Sequence, residues 1–151
     1  MDFEKHNSRR FIYLADDDSD DREFFADAMA EIDHEIILKQ APDGMYLMEN
    51  LLAICSSEIP VMIFLDINMP GKSGLECLRE IRSCEGTLKE VSVIMLSTSS
   101  DPENIQRALE LGATCYAVKP SSFEKLKSML REILSMKIGG TIDGNKKFLL
   151  L

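Results

Sequence analysis

Five apolar runs punctuate this chain, and segments with helical spacing follow each of them. The runs are Phe11-Ile12-Tyr13-Leu14-Ala15, Glu35-Ile36-Ile37-Leu38-Lys39-Gln40, Val61-Met62-Ile63-Phe64-Leu65, Val91-Ser92-Val93-Ile94-Met95-Leu96 and Thr114-Cys115-Tyr116-Ala117-Val118. Continuous apolar runs of this length suit strands covered on both faces, which is the pattern of a parallel sheet. The segments between them carry apolar residues about one turn apart: Phe24, Phe25, Ala28, Met29 and Ile32, then Leu47, Leu51 and Leu52, then Leu75, Leu78 and Ile81. Ile105, Ala108 and Leu109 make a fourth stripe, and Phe123, Leu126, Leu130, Ile133 and Leu134 a fifth. Local signals bound these helices. Ser73-Gly74-Leu75-Glu76 fits a capping box, Pro102 sits in a first turn, Gly112 stops a helix, and Ser121 or Ser122 caps the last one. Strand then helix, five times over, gives an α/β doubly wound fold, a five-stranded parallel sheet with helices on both faces and right-handed crossovers.

Four of the five runs stop at residues suited to phosphoryl chemistry. The first ends in Asp16-Asp17-Asp18, the third in Asp66, the fourth in Ser97-Thr98-Ser99-Ser100 and the fifth in Lys119-Pro120. In open parallel sheets, ligands gather beyond the carboxyl ends of the strands. The first and third strands are neighbours in such a sheet, so Asp16 and Asp17 would face Asp66. Three acids that close repel one another unless a divalent cation joins them, and Mg²⁺ suits one or two carboxylates while leaving room for phosphate oxygens. Asp66 alone would be read as a strand end. Beside a cation it is a carboxylate able to attack phosphorus and form an acyl phosphate. Lys119 offers a point charge and Ser97 a hydroxyl to the same group. Asp18, Ser19, Asp20 and Asp21 read as a helix start whose acids suit the dipole.

The bulk composition narrows the function classes. The chain has 151 residues, a formal net charge of -9 and no low-complexity tract. That size fits one domain, and that charge argues against a nucleic-acid surface. No stretch is apolar enough to span a membrane, and the polar start is not a secretory signal, so a cytoplasmic location is the default expectation. Cys55, Cys77, Cys84 and Cys115 lack metal-ligand spacing and read as small buried apolar residues. The expected organisation is a flexible segment over residues 1–9, one domain over 10–136, and a tail over 137–151. The tail holds Asp143-Gly144, which could turn a hairpin, and ends in Phe148-Leu149-Leu150-Leu151. It reads as docked, as a short hairpin or as disordered, with partner binding as a further use.

Together these residues resemble the receiver domain of two-component response regulators, the CheY-like family. The matching pieces are Asp16-Asp17, Asp66-Ile67-Asn68-Met69-Pro70 with Gly74, Ser97, and Tyr116-Ala117-Val118-Lys119-Pro120, in the family's order, over roughly Arg10 to Met136. The resemblance implies strand order 2-1-3-4-5. It makes Asp66 the phosphoacceptor, served by a histidine kinase or a histidine phosphotransfer protein. It makes Asp17 a direct Mg²⁺ ligand, Asp16 the acid that holds the ion through water, and Asn68 the donor of a backbone carbonyl to it. Lys119 matches the family's lysine, Ser97 the switch hydroxyl, and Tyr116 the aromatic switch that fills the space Ser97 vacates. A cis Lys119–Pro120 bond is also implied. The output surface would be the fourth helix, fifth strand and fifth helix, used for an unknown downstream protein partner or for a homodimer. Lys125, Lys127, Arg131, Asn104 and Arg107 are candidate contacts on it. Thr98 and Ser73 depart from the commonest pattern, and Ser99 lies where phosphate lifetime is tuned.

The expected function is a stand-alone receiver without an output domain, catalysing only its own phosphorylation and dephosphorylation. Residues 137–151 are too few for a DNA-binding helix-turn-helix. A Mg²⁺-dependent aspartyl-nucleophile phosphatase or phosphotransferase is the competing reading. Such enzymes usually carry a second acid two residues after the nucleophile, where this chain has Asn68. A structural adaptor that is never phosphorylated is another. A flavodoxin-like nucleotide binder fits less well, because no Gly-rich loop follows the first strand.

Overall fold

A computed structural model of the chain describes residues 10–54, 58–136 and 149–150. Cys55, the Asp143-Gly144 turn motif, residues 1–9 and most of the tail lie outside them. In chain order the elements are β1 (Arg10–Ala15), α1 (Ser19–Ile32), β2 (Ile36–Ala41), α2 (Gly44–Ala53), β3 (Met62–Asp66) and α3 (Gly74–Ser83). A 3-10 turn at Gly86–Glu90 leads to β4 (Ser92–Ser97), α4 (Pro102–Glu110), β5 (Cys115–Val118), α5 (Phe123–Met136) and β6 (Leu149–Leu150). The sheet runs β2-β1-β3-β4-β5-β6, every described pairing parallel. The expected 2-1-3-4-5 order is therefore present, and the two-residue β6 extends it beyond β5. Tyr116 is in register with Leu149, and Ala117 with Leu150. This part of the tail is docked as an edge strand.

Alternation along the strands divides the core between two faces. Ile12, Leu14, Met62, Phe64, Ile94, Leu96, Cys115 and Ala117 pack against α1 and α5 through Phe25, Ala28, Met29, Leu126, Leu130 and Ile133. Tyr13, Ile63, Leu65, Val93, Met95 and Tyr116 face α2, α3 and α4 through Leu47, Leu51, Cys77, Leu78, Ile81 and Ala108. β3, central in the sheet, is buried along its whole length, whereas β2 at the edge is only partly covered. That difference explains why the third run is wholly apolar while the second carries Lys39 and Gln40. Leu52 and Leu109, expected on buried stripes, are exposed instead. Each lies one residue beyond a buried stripe position, Leu51 and Ala108, and is turned about 100° away from it. No helix among the described residues is long and apolar enough to cross a membrane.

The helix caps follow the local signals. Ser73 and Glu76 make the reciprocal capping box at α3, Asp101 caps α4 with Pro102 in its first turn, and Ser122 Oγ accepts from Lys125 N at 3.1 Å. Gly112, at φ +95°, ends α4 in a conformation that side chains other than glycine's rarely adopt. Cys77 and Cys115 are buried, and Cys84 is half-buried. Burial pushes the thiols of Cys77 and Cys115 up to about 12, as small apolar core residues would behave. All described peptide bonds are trans, the Lys119–Pro120 bond included. The cis expectation is thus corrected. An X–Pro bond prefers trans by about 0.5–1 kcal/mol, and the chain here takes that lower-energy form.

Candidate functional site

Strand register builds the site. Ala15 pairs with Leu65, Asp66 with Leu96, and Ser97 with Val118. Asp16, Asp66, Ser97 and Lys119 therefore leave the sheet within one residue of a common line. Backbone bonds carry the register past the strand ends. Asp16 N donates to Ala41 O at 3.1 Å, Ile67 N to Leu96 O at 3.0 Å, and Lys119 N to Ser97 O at 2.8 Å. The loop after Asp66 is folded tightly: Gly71 has φ +78°, and Gly74 N donates to Ile67 O at 3.1 Å. A Cβ on Gly74 would stand 2.3 Å from the Asp66 carbonyl oxygen, so only glycine lets α3 begin this close to the strand end.

Asp16, Asp17 and Asp66 converge, each offering a carboxylate oxygen within 4.8 Å of the others. Asp16 and Asp66 are buried and Asp17 is exposed, so the cluster opens to solvent on one side. Asp16 Oδ1 accepts from Asp18 N at 3.0 Å, and Arg22 donates to the Asp16 carbonyl at 2.7 Å. Asp66 Oδ1 accepts from Asn68 N at 3.1 Å. Lys119 Nζ donates to three carboxylates: Asp16 Oδ2 at 2.9 Å, Asp66 Oδ2 at 3.1 Å and Asp21 Oδ2 at 3.1 Å.

These charges do not cancel evenly. Burial and the neighbouring Asp16 raise the Asp66 carboxyl, Lys119 and the Asn68 amide pull it back, and it rests at about 6. Burial draws the Lys119 ammonium down. The bond to Asp16 and the charges of Asp66 and Asp16 more than reverse this, so Lys119 stays firmly protonated. Three converging acids with one fixed ammonium leave negative charge unmatched. Oxygen-only donors on a site half open to water fit a hard divalent cation, which would be held by Asp16, Asp17 and Asp66.

Ser97 and Tyr116 lie on the face that carries α4. Ser97 Oγ accepts from Ser99 N at 3.1 Å, and the Tyr116 hydroxyl donates to Ser99 O at 2.8 Å. Tyr116 is fully buried. The backbone of Ser99 thus links the two expected switch residues, a bridge that no sequence signal marked. Asp21 is the other addition. It was expected only as a helix-start acid, yet α1 places its carboxylate on Lys119. Lys127, offered as a partner contact, is largely buried instead; it bonds Glu31 at 3.0 Å and Glu124 at 3.0 Å and lies over the Phe123 ring. Lys125, Arg131 and Arg107 are exposed and Asn104 half-buried. Beside Lys119 a cavity of about 440 Å³ opens between α1 and α5, with Asp20, Asp21, Phe24, Leu126 and Met129 among its lining.

The family model of the response regulator receiver domain matches residues 12–131. The chain belongs to the response regulator receiver family. It is 30% identical to response regulator Rcp1 of Synechocystis sp., over 87% of this chain and 91% of that protein. The solved phosphorylated cyanobacterial phytochrome response regulator RcpA superposes with a TM-score of 0.77 at 29% identity, covering 87% of this chain and 96% of that one. The Mn²⁺-bound form of Rcp1 superposes with a TM-score of 0.73 at 27% identity, covering 86% and 95%. Receivers accept a phosphoryl group on an aspartate, in general from a histidine kinase, and bind a divalent metal at an acidic pocket. They are signalling domains, generally not enzymes. The acid cluster of this receiver supplies the donors for such a metal.

Proposed function

We propose that Asp66 is the phosphoacceptor of this receiver, with Mg²⁺ as the working metal. A carboxylate oxygen of Asp66 attacks the phosphorus of a phosphohistidine. The new O–P bond forms as the N–P bond breaks, and the histidine nitrogen leaves with the electron pair. The observation that supports this reading best is the meeting of Asp16, Asp17 and Asp66 within 4.8 Å, with Lys119 Nζ 3.1 Å from Asp66. The metal, when bound, neutralises charge on the transferring oxygens. Asp16, Asp17 and Asp66 would hold it, with the Asn68 carbonyl as a further ligand. Lys119 moves its ammonium from carboxylate to phosphoryl oxygen, and Ser97 supplies a hydroxyl donor. Ser97 leaves its bond to Ser99 N to do so, and Tyr116 responds through Ser99 O. The face made by α4, β5 and α5 then changes its population of states. That face is the docking surface for a downstream protein or a second copy, with Lys125, Arg131, Asn104 and Arg107 as contacts.

Residues 10–136 form the receiver unit in this reading, acting as a single-domain regulator in the cytoplasm. Coverage of 91% of Rcp1 supports the single-domain part of this reading. The donor is a histidine kinase or a histidine phosphotransfer protein. Similarity to a phytochrome response regulator makes a phytochrome-type kinase the first donor to try. The test is intact mass after incubation with a small acyl phosphate, with and without Mg²⁺, beside Asp66→Ala. One added phosphoryl group that needs both Mg²⁺ and Asp66 is expected. Uptake by a folded Asp66→Ala chain at an acid-stable site would overturn the assignment.

A further inference from the structure

Lys119 has three N–H donors, and all three are used: on Asp16, Asp66 and Asp21. Asp16 and Asp66 belong to the metal cluster, whereas Asp21 does not. We propose that Asp21 is a positioning residue that restrains Lys119 while Asp66 is unphosphorylated and so sets how readily the phosphoryl group is seated. This inference rests on Asp66 being the phosphoacceptor and Lys119 its counter-ion.

A phosphoryl group on Asp66 brings new oxygens that need the ammonium; the bond to the Asp66 carboxylate passes to them, and Asp16 and Asp21 stay as the acceptors that hold Lys119 back. Of these two, Asp21 is the acceptor that Lys119 can release at least cost. The Asp21 side chain is 46% exposed and rehydrates on release, whereas the Asp16 side chain is only 3% exposed. Until released, Asp21 competes for the ammonium. Its negative charge also lies one ammonium away from the incoming anion and repels it. The backbone that carries this carboxylate is fixed. Asp18 caps α1 by accepting from the N–H groups of Asp20 and Asp21, at 2.9 and 3.3 Å. Asp20 provides an internal comparison. It shares that turn, that charge and the wall of the same cavity, yet it has no bond to Lys119 among the described contacts.

The test uses the full chain at saturating Mg²⁺, with beryllium fluoride as a tetrahedral phosphoryl mimic followed by ¹⁹F NMR. Wild type, Asp21→Asn, Asp21→Ala, Asp20→Asn and Asp66→Asn are compared, and Mg²⁺ affinity is measured separately without the mimic. Both Asp21 variants are expected to bind the mimic about threefold tighter, the size of effect for an ion pair with one half-exposed partner. Their Mg²⁺ affinity is expected to be unchanged or slightly weaker. Asp20→Asn is expected to bind the mimic like wild type while losing the same helix-dipole contribution to thermal stability. Equal or weaker mimic binding by the Asp21 variants overturns the restraint. So does a gain of the same size in Asp20→Asn, which would reduce the effect to general charge. Failure of wild type to bind the mimic, with Asp66→Asn behaving identically, overturns instead the reading of Asp66 itself.

Discussion

Replacing Asp66 with asparagine should make this protein more stable at neutral pH. Burial is the main influence on the Asp66 carboxyl and Asp16 adds repulsion, so it sits at about 6 rather than at 3.8. The sign is opposite to that of an ordinary ion-paired carboxylate. Between about pH 4 and 6 the unfolded chain ionises this group while the folded chain keeps it protonated. Stability therefore falls as pH rises through that window and stays low above it. The upper bound of the loss at pH 7.5 is about 3 kcal/mol. Asparagine removes it but weakens a partner of Lys119, which keeps Asp16 and Asp21. A net gain of about 1–2 kcal/mol remains, or roughly 3–6 °C in Tm for a domain of this size. Thermal unfolding of both proteins in chelator, at pH 7.5 and pH 4, measures it. The gain should nearly vanish at pH 4. No gain at pH 7.5, or an equal gain at pH 4, would refute the argument. Adding Mg²⁺ should narrow or reverse the difference, since the ion stabilises the form that binds it.

Gly74→Ala forces a Cβ to within 2.3 Å of the Asp66 carbonyl, so it should cost about 1–3 kcal/mol in urea unfolding and weaken Mg²⁺ binding in a direct titration. Tyr116→Phe leaves Ser99 O without its donor; about 1 kcal/mol is expected, with faster amide exchange in the loop after β4. Cys77 and Cys115, with thiols at about 12, should resist iodoacetamide at pH 8 in the folded chain and react once it is unfolded, as read by peptide mass.

The strands were legible because burial on both faces leaves no room for polar residues, and β3 is the clearest case. The site was legible because one sheet edge gathers the strand ends. Asp16, Asp66, Ser97 and Lys119 could therefore be assembled from where their runs stop. Asp21 escaped because a helix-start acid already has a sufficient local explanation, and its partner lies 98 residues later. Lys127 looked like a free surface charge; Glu124 and Phe123 lie about one turn before it on α5, but Glu31 becomes its neighbour only once α1 and α5 pack together. Ser99 acts through its backbone, which side-chain chemistry cannot announce. β6 is two residues long, too short for any periodic signal.

That short strand has a practical consequence. β5 would otherwise present a bare row of amide and carbonyl groups, open to strand addition by any passing chain. Leu149 and Leu150 occupy that row opposite Tyr116 and Ala117. An affinity tag or fluorophore fused after Leu151 would begin one residue from this contact. It could prise the strand away and make the protein sticky, or shield the face that a binding assay is meant to probe. Pull-downs built on a handle placed there would then report the handle's effect on the sheet edge as though it were the partner's.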